Sequence, residues 1–151
     1  MAYRSIHAAV VVFALQAGLP AFALSPPARA GSSIDAAESK AIQATVQRQL
    51  DAFDRDDADA AFAQASSAAR TRFGTPELFM AMVKERYQPV YRRRRAIFTD
   101  LQRVDGLIIQ SVRVTDADDR VWVALYRMER EPDGQWRILG CQLLETRSVS
   151  T

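Results

Sequence analysis

The sequence predicts an α+β domain in which helices come first and a curved antiparallel sheet follows. Three observations carry this reading. Residues 35–87 place apolar residues at helical spacing in three segments. Residues 96–145 instead alternate apolar and polar residues in runs separated by turn-forming clusters. The connections between those runs are short, so the strands must pair antiparallel and in sequence order.

The first helix is expected from about Asp35 to Phe53, where Ile42, Val46, Leu50 and Phe53 form one apolar stripe. The acids Asp54, Asp56 and Asp57 end it. Asp57 is placed to cap a short second helix holding Ala61, Phe62 and Ala65, so the cluster reads as a turn and a cap rather than a cation site. Gly74 breaks the chain. Thr75-Pro76-Glu77 then starts a third helix with a capping hydroxyl, a proline in the first turn and an acid beside it. Leu78, Phe79, Met82, Val83 and Tyr87 are expected to share its buried face, and Pro89 to stop it.

Four strands follow. Ala96 to Val104 meets Leu107 to Thr115 through Asp105-Gly106, a two-residue hairpin signal. Asp116-Ala117-Asp118-Asp119 leads to Val121 to Arg130, and Glu131-Pro132-Asp133-Gly134 leads to Trp136 to Glu145. Uninterrupted alternation would turn Ile108, Gln110, Val112 and Val114 toward the helices, with Trp122, Ala124, Tyr126 and Met128 beside them. Trp136, Ile138, Gly140, Gln142 and Leu144 would complete that face. A cavity lined by Trp122, Tyr126, Gln110, Gln142 and Trp136 is expected there. The opposite face would hold Val123, Leu125, Arg127, Arg137, Leu139, Cys141 and Leu143. No helix remains to cover it, so Val123, Leu125, Leu139, Cys141 and Leu143 are expected to form a homodimer interface.

The chain has 151 residues, 48% of them hydrophobic, which is enough for one domain with a real core. Twenty basic and 18 acidic residues nearly balance, so nothing demands a nucleic acid partner. The single cysteine, Cys141, forms no internal disulfide and is expected to be a buried, inert thiol. The single histidine, His7, lies in a segment expected to be removed. A mature chain without histidine excludes Ser-His-Asp and Cys-His machinery and any His-ligated metal site, and no cofactor or metal is implied.

That segment has the form of an export signal. Arg4 precedes the apolar run Ala8 to Leu19, Pro20 breaks it, and Ala21-Phe22-Ala23 supplies small residues for cleavage. Residues 1–23 are expected to be a signal peptide. Ala28-Arg29-Ala30 is a second cleavage candidate. The run is short for a bilayer span, and Gln16, Gly18 and Pro20 interrupt it. The expected destination is the periplasm or the exterior. Residues 24–37 read as a flexible leader rich in Pro, Gly and Ser, and 38–147 as a single domain.

Arg92-Arg93-Arg94-Arg95 is the densest charge run and could contact an anionic surface, although a solvated strand start is the simpler reading. Membrane contact is not expected.

The tail Asp133-Gly134-Gln135-Trp136-Arg137-Ile138-Leu139-Gly140-Cys141, after helices and strands in this order, resembles the superfamily of nuclear transport factor 2 and ketosteroid isomerase. More closely, four segments look like DUF4864, a bacterial family of unknown function. They are Gln49-Leu50-Asp51-Ala52-Phe53, Phe73-Gly74-Thr75-Pro76-Glu77, Tyr87-Gln88-Pro89-Val90-Tyr91 and Trp122-Val123-Ala124-Leu125-Tyr126. The resemblance covers about residues 38–145 and implies a cone-shaped fold, helices packed in a curved sheet. It carries no catalytic residue with it. The isomerase constellation of two acids and a Tyr finds only Asp100 and Tyr126 as candidates here. The expected function is therefore a non-catalytic binding or assembly module for a small apolar ligand or a protein partner. The alternatives are a cone-cavity isomerase or lyase using Asp100 and Tyr126, and a membrane-surface module acting through Arg92 to Arg95.

Overall fold

A computed structural model describes residues 33–146. The expectations on residues 1–23, and on the leader up to residue 32, lie outside that range. Five helices precede the sheet: α1 (Ala36–Asp54), α2 (Ala58–Ala63), α3 (Ser67–Phe73), α4 (Pro76–Arg86) and α5 (Gln88–Tyr91). Four strands follow: β1 (Arg95–Val104), β2 (Leu107–Thr115), β3 (Val121–Arg130) and β4 (Trp136–Glu145). They form one antiparallel sheet in the order β1-β2-β3-β4, curved and unclosed, with the helices packed against one face.

Local chemistry accounts for the helix starts. Asp35, Asp57, Ser66 and Thr75 each accept a backbone N–H of the following first turn. Two helices escape the simple periodic reading. Ser66 starts α3, and Gly74, at φ 86°, ends it. Pro89 does not stop the chain; it sits in the first turn of α5, where its missing N–H costs nothing. On α4 the buried face is Phe79, Met80 and Val83, and Leu78 is 61% exposed.

The Asp105-Gly106 hairpin forms as expected, with both residues at positive φ, 49° and 81°. At the β2–β3 turn the carboxylate of Asp116 accepts from the backbone of Asp118 and Arg120, the Arg120 guanidinium and the Trp122 indole N–H. Burial works to raise its pKa, but these four donors outweigh burial and hold it below the usual carboxylate value. Trp122 is thus fixed at the turn.

The core joins Ile42, Val46, Leu50 and Phe53 of α1 to Ile108, Val112, Val114, Ala124, Tyr126 and Met128 of β2 and β3, all buried. On β4 the expected alternation fails. Met128 pairs with Ile138 but Arg127 pairs with Gly140, so Leu139 is an extra residue in a β-bulge. The bulge reverses the phase of everything after it. Trp136 and Ile138 face the core as expected, but next to them stand Cys141 and Leu143, the partners of Tyr126 and Ala124. Gln142 and Leu144 are turned out and exposed. Two interface candidates, Cys141 and Leu143, therefore pack inward, and one cavity candidate, Gln142, faces away.

The free edge of β4 is covered. Thr45 Oγ1 donates to Trp136 O at 3.0 Å, Ser66 N to Ile138 O at 2.9 Å, and Ile138 N to Gln64 O at 2.8 Å. Farther along, Arg72 donates to Leu139 O at 3.3 Å and Tyr87 Oη to Cys141 O at 2.9 Å. From Trp136 to Cys141 the edge is thus occupied, which discourages pairing with another chain there.

Candidate functional site

Between that covered edge and the helices lies a cavity of about 310 Å³. Its size is at the low end for small-molecule sites. One wall is apolar and aromatic. Phe79 stands at its centre, with ring centroids 6.4 Å from Phe53, 5.7 Å from Phe62 and 5.3 Å from Phe73. Val83, Val90 and Ile138 continue this wall.

The other wall comes from β3, β4 and the end of α4, and it is polar. Tyr126 is 1% exposed, and its hydroxyl meets no partner in hydrogen-bonding geometry. The neighbouring Cys141 thiol is a weak, poorly directional acceptor. Burial pushes the Tyr126 phenol well above its ordinary value, and the Cys141 thiol up to about 12. The thiol is therefore protonated and inert at neutral pH. Tyr87 is also raised, first by burial and then by Cys141, against the pull of Arg86, Arg127 and Arg72.

Those three arginines line the mouth. Arg72 is held by its bond to Leu139 O and by lying 5.2 Å from the Phe73 ring centre. Arg86 comes from the last turn of α4. Arg127 lies over Gly140, where an added Cβ would stand 2.9 Å from Arg127 Nη2. Among the described residues no carboxylate oxygen lies within 4.0 Å of any of the three.

Of the expected cavity residues, only Tyr126 lines this space. Gln110 is buried beside it in the sheet register, its amide donating to Asp100 O and Ser111 O. Trp136 and Trp122 pack elsewhere in the core. Asp100 is exposed at the β1 irregularity and does not reach the cavity, so Asp100 and Tyr126 are not brought together. Three arginines of the run pair with aspartates, while Arg95, at the start of β1, is exposed and has no carboxylate partner among the described residues. Arg92 pairs with Asp56 at 2.8 Å and donates to Phe53 O at the end of α1, Arg93 pairs with Asp54 at 2.8 Å, and Arg94 pairs with Asp119 at 2.6 Å. Asp57 caps α2.

Sequence reasoning missed Arg72, Arg86, Arg127 and the phenylalanine wall, because each arginine stands alone in the sequence. The usable signal was Gly140. A lone glycine inside a strand marks a bulge or a close approach, and here it marks both. Among the described residues no group of three His, Cys, Asp or Glu could hold a metal ion.

A family model described as a domain of unknown function, DUF4864, matches residues 35–151. No curated protein matches the chain.

Proposed function

As the chain belongs to the DUF4864 family, a domain of unknown function, we propose its role from the geometry: a non-catalytic module that binds one small, largely apolar molecule in the cavity between helices and sheet. The observation that carries this is the cavity itself, whose aromatic wall around Phe79 faces the wall that holds Tyr126. The volume holds on the order of ten non-hydrogen atoms at about 30 Å³ each. No acid reaches Tyr126 from Asp100, so acid–base catalysis by that pair has no geometric support. Helices against an open curved sheet also support placing the chain in the cone superfamily of nuclear transport factor 2 and ketosteroid isomerase.

Titration calorimetry of the full-length chain with 1-octanol tests the binding. A 1:1 complex with Kd below about 1 mM is expected, equivalent to about −4 kcal/mol. Ala69→Phe, which fills the cavity from α3, should abolish it. Tyr126→Phe should leave the melting temperature within a few degrees, because it removes an unsatisfied group. Undiminished binding to Ala69→Phe would place the occupant elsewhere.

A second reading concerns the outer sheet face. By register it presents Ile97, Ile109, Val123, Leu125 and Leu144, with no helix over them. Four strands at ~4.8 Å spacing and ~30 Å length offer roughly 600 Å² in projection. That approaches the ~800 Å² each partner buries in an ordinary stable interface. A second copy is the proposed cover, through Val123 and Leu125 as the sequence suggests but without Cys141 and Leu143, and without Leu139, which sits in the bulge and lines the cavity. Sedimentation analysis should find a dimer at micromolar concentration, and Leu125→Asp should yield monomers, since a buried unpaired carboxylate is costly. A wild-type monomer would refute this.

Export remains part of the proposal, resting on the Arg4, apolar-run and Ala21-Phe22-Ala23 pattern. Sequencing the N-terminus of the exported protein should return Leu24, or Gly31 if Ala30 is the site. Retention of Met1 in a membrane pellet would contradict it.

A further inference from the structure

We propose that the occupant of the cavity is an amphiphile, an apolar body ended by one anionic head group held by Arg72, Arg86 and Arg127. This rests on the cavity reading above and adds the class of ligand. The mouth of the cavity gathers three guanidiniums, with no carboxylate within ion-pair distance of them among the described residues. Two of the three are also placed by specific contacts. Arg72 is tied to the carbonyl of Leu139 in the bulge. Arg127 lies across β4 at Gly140, where an added Cβ would stand 2.9 Å from its Nη2. Gly140 is thus a positioning residue for Arg127. Guanidinium groups suit planar oxyanions. The space behind them accepts a short chain or a single ring, so a medium-chain carboxylate is the simplest member of the class.

The test compares sodium octanoate with 1-octanol on the full-length chain by titration calorimetry at neutral pH. The two probes share the apolar body and differ in the head. Octanoate should bind about tenfold or more tightly than octanol, the range of one charge-assisted contact, and lose that advantage in high salt. Gly140→Ala keeps every charge but brings a Cβ to 2.9 Å from the Arg127 guanidinium, which must shift, so the advantage of octanoate over octanol should shrink. The triple variant Arg72→Gln, Arg86→Gln, Arg127→Gln should bring the two probes to equal affinity. Thermal melts establish that each variant is folded, and Gly140→Ala decides alone if the triple variant is not. Equal affinity of the two probes for the unaltered chain would overturn the anionic head and leave the cavity reading standing. Failure of both probes to bind would overturn both.

Discussion

Trp136→Ala should lower the unfolding free energy by about 3–5 kcal/mol, the usual range for truncating a large buried aromatic. The indole opens β4, is 8% exposed, and packs in the core with Ile108 and Met128. Its own carbonyl accepts from Thr45 of α1, so the residue ties helix to sheet by side chain and by backbone at once. Truncation leaves a void where the first helix crosses the last strand, at a place that cannot collapse without moving that hydrogen bond. In a thermal melt this amounts to a fall of more than about 10 °C for a domain of this size. Trp136→Phe, which keeps a ring and the backbone contact, should recover most of it. A melt of Trp136→Ala within a few degrees of the unaltered chain would show the ring to be peripheral.

Phe79→Ala should have a comparable effect, about 3–5 kcal/mol, for a different reason. Phe79 is 6% exposed and is the one ring in contact with Phe53, Phe62 and Phe73, which come from three other helices. Each such pair contributes about 0.5–1.5 kcal/mol beyond the area it buries. Removing the ring loosens α1, α2 and α3 from α4 together. It also enlarges the cavity, because Phe79 is part of its wall. The variant should therefore melt lower and shift its preference toward bulkier ligands, measured by calorimetry with decanol against octanol. Phe79→Leu should restore part of the stability. Loss of stability without any change in ligand preference would separate the aromatic cluster from the site.

Much of the fold could be read from local chemistry. Asp35, Asp57 and Thr75 start their helices because a short polar side chain can satisfy its own helix's first N–H groups, and no distant residue takes part. Asp105-Gly106 makes its hairpin because both residues tolerate positive φ. The three later strands begin and end where alternation and turn residues put them. The order of the elements, helices first and an antiparallel sheet after, follows from these local facts together with the short connections between strands.

Packing between strands, by contrast, settled which way β4 faces after Leu139. The bulge exists because Arg127 and Met128 of β3 pair across it with Gly140 and Ile138, a relation between strands that no run of alternating residues contains. A one-residue change of phase exchanges the two faces of a strand, so Cys141 and Leu143 went to the core and Gln142 to solvent. The arginine run is a second case. Arg92 and Arg93 found Asp56 and Asp54, 36 and 39 residues away, and a charge that looked free became a clamp on the end of α1. The cavity is the third. Tyr126 was legible as an inward tyrosine, but its lack of a partner and the three arginines around the mouth depend on four helices and two strands meeting in space. Short-range contacts are written in adjacent residues; long-range ones are set by packing, and the site belongs to the second kind.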